Sequence, residues 1–372
     1  MQNERKRILK MVEEGKLKVE EALTLLEELD KAEKTMEQKQ AEIVNELTTA
    51  VHFEEAKKEE PFQYKFQSAK DKIFEFVDSA LKKIKDFDLD FNFGHSVEIS
   101  HIFQQNGVYL KEMDLDIANG SMMVVPWNEQ DVRIECQAKV YRVETQEQAR
   151  ENFLKDVFFA IEGEKLRFGT QQKWMKVEAV VYIPHADYER ARIRMFNGPI
   201  SGENLNIGDL RVKTANGKIE FASLTGNRME AETANGHIKI EHSRVAALEV
   251  ETINGTIDLT GDFKKAEAQT LNGNISCHLM GKSCESFSAK GTTGSIDLFL
   301  PAGTKVDGEL KSNLGSFNVK LDGIQIVEEK SEKLQKLLRF KSMDTTGATK
   351  IFADNKTGAI TVDQSDIVNL YK

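Results

Sequence analysis

Along the second half of the chain, apolar and polar residues alternate on either side of a recurring Asn-Gly or its variants, and the pattern returns every 18 to 21 residues. The bends are Asn197-Gly198, Asn216-Gly217, Asn235-Gly236, Asn254-Gly255 and Asn272-Gly273, then Thr293-Gly294 and Leu314-Gly315. Six, four and two positions before the Asn stand Leu210, Val212 and Thr214, then Met229, Ala231 and Thr233, then Leu248, Val250 and Thr252. Three and five positions after it stand Ile219 and Phe221, Ile238 and Ile240, Ile257 and Leu259, Ile275 and Cys277, Ile296 and Leu298. A period of two predicts strands with one buried face. Each repeat reads strand, bend, strand and a variable return.

An isolated Asn-Gly bend would normally join an antiparallel hairpin. Here the same residue type recurs in every column, as expected when each strand lies on its own copy in the next coil. Such stacking spaces like residues by ~4.8 Å and builds internal ladders. The predicted fold is mainly β: a parallel β-helix or β-solenoid over residues 87–372 with about 19–21 residues per coil. Gly is expected to supply φ > 0 at each bend, and Asn tolerates it. Leu115-Asp116-Ile117-Ala118-Asn119-Gly120 and Lys356-Thr357-Gly358 read as outlying coils. Residues 131–195 read as irregular coils interrupted by a helix entered at Thr145. Leu334, Leu337 and Leu338 predict a helical insertion over 328–343.

The N-terminal region is patterned differently. Residues 1–30 predict a helical hairpin, broken at Gly15, with Ile8, Leu9 and Val12 on one face and Ala22, Leu23, Leu25, Leu26 and Leu29 following. So small a unit buries too little surface to stand alone, so Leu23 and Leu26 are expected at a contact with another part of the chain, another copy or a partner. Residues 31–67 read as a charged linker or helix. Residues 68–86 predict an amphipathic helix carrying Ile73, Phe74, Val77, Leu81 and Ile84 on or beside its apolar face. Two readings stand for it: a cap over the open solenoid end, or a helix lying in the membrane interface with its lysines at anionic head groups. Alternation from Phe87 marks the start of β structure.

Composition narrows the function. With 51 basic and 61 acidic residues the net charge is −10, and no basic cluster suits nucleic acid. Cys136, Cys277 and Cys284 form neither a disulfide framework nor a zinc spacing. No secretory or membrane-spanning run is visible, so the expected compartment is the cytoplasm, with peripheral contact at the inner face of the membrane left open.

The run Arg7-Ile8-Leu9-Lys10-Met11-Val12-Glu13-Glu14-Gly15-Lys16-Leu17, with Glu20-Glu21-Ala22 after it, resembles the short helical domain of the YvlB/LiaX-like proteins of Gram-positive bacteria. In that family it precedes a DUF4097 region, a β-solenoid sometimes labelled an adhesin, which the Asn-Gly repeats resemble. Lys18 and Val19 stand where the family has a Ser or Thr cap, a departure costing ~1 kcal/mol of helix stability. The resemblance implies a role beside the cell-envelope stress response, with partners in a phage-shock-like membrane system, and no enzymatic activity.

Candidate chemistry lies on the outward columns. Parallel stacking would line up Glu230, Glu249 and Glu267 in one row and Glu232 and Glu251 in the next, beside Arg211 and Lys213. Adjacent like charges ~4.8 Å apart repel by just under ~1 kcal/mol even in water-like dielectric. The stripe is either a screened surface or a docking face for a basic partner segment. The column four after each Asn reads Glu220, Lys239, Asp258, Ser276, Asp297 and Asn318, with no recurrent Arg. That pattern assembles no acid pair or calcium groove for polysaccharide cleavage. No catalytic, cofactor-binding or metal-ligating residue is assigned. The expected function is a non-enzymatic interaction or regulatory protein. The rivals are a polysaccharide-binding or polysaccharide-active β-helix and a surface adhesin.

Overall fold

The computed structural model describes residues 2–14, 17–48, 95–170, 172, 174–332 and 335–365. The repeats stack in parallel and in register. Strand β11 (Thr225–Asn235) lies between β9 (Asn206–Asn216) and β12 (Ile238–Asn254), with Met229 opposite Leu210 and Leu248, and Thr233 opposite Thr214 and Thr252. Strand β10 (Ile219–Ala222) sets Ile219 between Ile200 and Ile238. Ile238 and Ile257 are fully buried, whereas Lys239 and Asp258 are partly exposed, so the columns are internal ladders.

At each bend the side chains form ladders of their own. Asn216 Nδ2 donates to Asn197 Oδ1 and Asn235 Nδ2 to Asn216 Oδ1, both at 2.8 Å, and Asn254 continues the series at 2.9 Å. The buried hydroxyls of Thr214, Thr233 and Thr252 donate to the carbonyls of Gly198, Gly217 and Gly236 at 3.2, 3.0 and 3.0 Å. A buried polar column is thereby satisfied. The bend glycines correct the expectation of a left-handed φ at each one. Positive φ occurs at Gly120, Gly198 and Gly294, but not at Gly217, Gly236, Gly255 or Gly273. A Cβ on Gly236 would sit 1.9 Å from the Gly217 carbonyl oxygen. What these bends require is clearance between stacked backbones. The left-handed residues lie instead at the return corner, where Asn204, Ser223 and His242 have φ of 55°, 55° and 49°.

Stacking order departs from chain order at both ends. Strand β2 (Glu112–Trp127) is flanked on one side by β5 (Lys165–Thr170) and β6 (Met175–Pro184). On its other side lie β7 (Asp187–Asn197) and β8 (Ile200–Glu203). Likewise β21 (Thr349–Asn355) and β22 (Ile360–Ser365) are inserted between two earlier coils. One is β15 (Ser286–Thr293) with β16 (Ile296–Pro301); the other is β17 (Val306–Ser312) with β18 (Phe317–Lys320). The Thr293 and Leu314 repeats, consecutive in sequence, are therefore not stacked on each other.

Antiparallel elements close both ends. The insertion expected to be helical over 328–343 is a hairpin of β19 (Ile324–Ser331) and β20 (Lys336–Ser342), with β20 antiparallel to β17. The open edge of β17 accounts for the difference, because it rewards period-two residues. Leu338 and Phe340 turn inward and are buried, while Arg339 turns outward to Glu309 and Glu328. The Phe340 ring fills the space over Gly308, where a Cβ would lie 2.3 Å from it. At the other end β3 (Val132–Tyr141) pairs antiparallel with β6, β1 (Ser96–Gln105) with β3, and β4 (Val157–Glu162) with β5. Part of the region expected to be irregular coils is thus a cap. Its helix α3 (Gln146–Asp156) is capped by Thr145 Oγ1, which accepts from the Gln148 N–H at 3.2 Å. It carries the fully buried Phe153 to within 6.1 Å of the Phe103 ring, which stacks on Phe159 at 5.3 Å. The stretch over 68–86 with Ile73, Phe74, Val77, Leu81 and Ile84, and the β start at Phe87, lie outside the described residues.

At the N-terminus α1 (Gln2–Glu13) and α2 (Val19–Thr48) form the expected hairpin around Ile8, Leu17, Ala22, Leu25 and Leu29. The boundary expected at residue 30 is not a break. Residues 31–48 contain helix-forming Ala, Glu, Lys, Gln and Met without Gly or Pro, so α2 continues. The missing Ser or Thr cap is offset by Glu21, whose Oε2 accepts from the Lys18 N–H at 2.9 Å.

Candidate interaction surface

The position immediately before each Asn faces outward, yet it is apolar: Phe196, Ala215, Ala234, Ile253 and Leu271. Coil spacing turns these residues into a ridge ~19 Å long. Ala215 and Ile253 are nonetheless fully buried, because Met36 and Ile43 of α2 lie on the ridge. Asn313 Nδ2 donates to Glu28 Oε2 at 2.6 Å, and Lys39 forms an ion pair with Glu251. From Glu28 to Lys39 the helix rises ~17 Å, against ~19 Å for the coil steps separating Asn313 from Glu251. The helix axis therefore runs along the stacking axis. Leu314 packs on the hairpin core, so the helical unit also rests on the coil of β17 and β18.

The acidic columns align as the alternation predicts. Glu230, Glu249 and Glu267 are in register, and Glu232 faces Glu251 in the next row. Each carboxylate has a cation beside it. Arg211 and Arg228 lie 3.7 and 3.5 Å from Glu230, and Arg228 lies 3.6 Å from Glu249. Lys213 is 2.9 Å from Glu232 and Lys290 is 3.8 Å from Glu267. The exposed pairs of Arg211, Arg228 and Lys290 each contribute little to stability, whereas Lys213 and Glu232 are largely covered. Burial, then the neighbouring Glu230 and Glu267 charges, push the Glu249 carboxyl above its ordinary value.

Of the hairpin residues singled out from sequence, Leu26 packs half-buried on the hairpin core while Leu23 is 55% exposed. Leu9 and Val19 are exposed as well. Lys39, Ile43 and the ridge were not found by sequence reasoning. The signal was present in the ridge column, which is apolar in repeats whose other outward positions are charged. Among the described residues no group of three or more His, Cys, Asp or Glu is placed to share a metal ion. In the column considered for catalysis, Lys239 lies between Glu220 and Asp258, and Lys218 meets Glu220 at 2.8 Å.

Residues 123–363 match the family described as Toastrack DUF4097, and residues 3–34 match a SHOCT-like domain. The chain belongs to the Toastrack DUF4097 family. Within it, the chain is 47% identical over 371 residues to "Uncharacterized protein YvlB" of Bacillus subtilis (strain 168), covering 98% of this chain and 100% of that one. The YvlB resemblance read from Arg7–Leu17 and the Asn-Gly repeats thus extends over the whole Toastrack chain and its hairpin. Among solved structures, a "putative adhesin" from Bacteroides fragilis NCTC 9343 is 14% identical, covering 72% of this chain and 97% of that one, with a TM-score of 0.38. A "putative lipid binding protein" from Parabacteroides distasonis ATCC 8503 is 9% identical over the same shares, with a TM-score of 0.32. Scores this low bear on neither mechanism nor ligand. No described helix of this Toastrack chain is long and apolar enough to cross a membrane.

Proposed function

We propose that this YvlB-like Toastrack protein is a non-enzymatic interaction and regulatory protein of the cell-envelope stress response, acting in the cytoplasm or at the inner face of the membrane. The observation that supports this most directly is the docked hairpin. It holds the solenoid through α2 while leaving Leu9, Val19 and Leu23 in solvent, at 52%, 64% and 55% exposure. Large apolar side chains concentrated on a unit this small are what a partner or a second copy would cover. The stripe of Glu230, Glu232, Glu249, Glu251 and Glu267 offers a second surface, suited to a basic segment. Chemistry on polysaccharide is disfavoured because Lys239 separates Glu220 from Asp258 and each carboxylate of the acidic columns has a cation beside it.

The test is affinity capture from Gram-positive cells under envelope stress, comparing the native chain with Val19→Asp/Leu23→Asp. The native chain should retain identified membrane or stress-response proteins that the double variant loses. Capture of no such protein, or equal capture by both chains, would overturn the proposal. Fractionation with and without stress tests the compartment in parallel.

A further inference from the structure

We infer that the bend ridge is a helix-docking site whose resident occupant is α2, and that a lysine-bearing amphipathic helix of a partner protein takes the site by displacing it. This deepens the reading of the acidic stripe as a docking surface and rests on it. The ridge of Ala215, Ala234, Ile253 and Leu271 is outward-facing apolar surface that only a covering element could keep from water, and α2 is that element. Over the ridge itself, among the described side chains, Met36 and Ile43 supply the apolar contact and the fastening beside them is polar. Lys39 and Glu251 have side chains 31% and 28% exposed, so water reaches their pair. The remaining described contacts, Asn313 to Glu28 and Leu314 on the hairpin core, lie at the far coil, so the ridge end of α2 can open locally and exchange.

The geometry also specifies the competitor. Side chains three residues apart on a helix are separated by ~4.5 Å along its axis, close to the ~4.8 Å between coils. A helix lying along the stack therefore presents successive i, i+3 side chains to successive coils. α2 uses this match once, with Met36, Lys39 and Ile43 at spacings of three and four on one stripe. Beyond Glu251 the acidic rows continue with Glu249 and Glu267, both about half-exposed, with cations 3.6 and 3.8 Å away. Glu249 shares the coil of Glu251 and Glu267 lies one coil toward the Glu28 end of α2, so a partner helix that keeps the Met36 and Ile43 anchors and carries lysines level with Lys39 and one turn before it, on the flank toward that column, would engage carboxylates that the Lys39 ion pair does not.

The experiment uses the full chain and, as probe, a fluorescein-labelled synthetic peptide of residues 19–48, read by anisotropy. Variants Ile43→Asp and, independently, Lys39→Glu weaken the resident helix without touching the β core. Each should bind the peptide at least tenfold more tightly than the native chain does. Adding Glu251→Lys to Ile43→Asp should remove that gain. A peptide carrying Lys39→Glu should restore binding to this charge-reversed chain. Equal affinity of native and Ile43→Asp chains, or no binding by either, overturns the inference. So does tight binding that survives Glu251→Lys. If exchange fails while stress-response proteins are still captured, helix exchange falls and the interaction reading stands.

Discussion

Replacing Gly236 by Ala tests the account of the bends most directly. The added Cβ would lie 1.9 Å from the Gly217 carbonyl oxygen and 2.5 Å from its carbon. A carbon-to-oxygen contact tolerates no less than ~3.2 Å, so the two coils must part locally by more than ~1 Å of a ~4.8 Å spacing. Four hydrogen bonds cross that gap. Gly217 N–H donates to Asn235 O and Ile219 N–H to His237 O, both at 2.9 Å. Asn235 Nδ2 donates to Asn216 Oδ1 at 2.8 Å and Thr233 Oγ1 to Gly217 O at 3.0 Å. At ~1 kcal/mol each, their loss costs ~3–4 kcal/mol before any strain is counted. Gly163→Ala is the control. Its φ is +61° but nothing lies within 4 Å of its Cβ, so Ala there suffers only the left-handed conformation, ~1–2 kcal/mol. Urea unfolding followed by far-ultraviolet circular dichroism should place the Gly236→Ala midpoint well below that of Gly163→Ala. If Gly236→Ala unfolds with the native chain, or no earlier than Gly163→Ala, close approach is not what the bend glycines provide.

Other substitutions probe the rest of the frame. Ile257→Asp buries an unpaired carboxylate in a fully buried ladder position and should cost several kcal/mol, abolishing the cooperative melt; a native-like melt would place Ile257 elsewhere. Ser223→Gly relieves a left-handed φ of 55° and should leave stability unchanged or raise it by up to ~1 kcal/mol, whereas a clear loss in the urea midpoint would refute the corner assignment. Burial raises the Asp116 carboxyl from 3.8 to about 6, with Arg194 opposing the shift and Asp114 adding to it. The folded state therefore holds this proton more tightly than the unfolded chain. The penalty is present above pH ~6 and relieved as pH falls toward ~4, by at most ~3 kcal/mol. Asp116→Asn should remove this component from the pH–stability curve, and superimposable curves for both chains would count against it.

The ladders were legible because each coil repeats one pattern, so Leu210, Met229 and Leu248 report on each other without any long-range inference. The acidic register of Glu230 with Glu249 followed from the same repetition. Where the outcome depended on a neighbour distant in sequence, the pattern alone misled. Leu334, Leu337 and Leu338 have helical spacing in the sequence, but the edge of β17 selected the alternation of Leu338 and Phe340 instead. Coil order at the ends was invisible for the same reason, since Ile296, Ile360 and Phe317 are interchangeable members of one ladder. The role of the glycines was misjudged because Asn-Gly signals a handed turn in isolated hairpins, whereas here stacking imposes a distance. The ridge was overlooked because an apolar residue beside an Asn looks like the edge of a strand until α2 covers it.

The coils stacked out of chain order bear on how the molecule is made. A ribosome delivers β17 and β18 before β21 and β22, yet the later pair occupies the slot between them and β15 and β16. Until residues 349–365 emerge, either that slot stays vacant or β17 settles directly on β15 and must later be released. The same holds at the other end, where β2 waits with both edges open for partners made about fifty to eighty residues later. Closure at each end of this solenoid therefore waits for a later coil, and during those intervals the nascent chain is exposed to mispairing of its near-identical rungs.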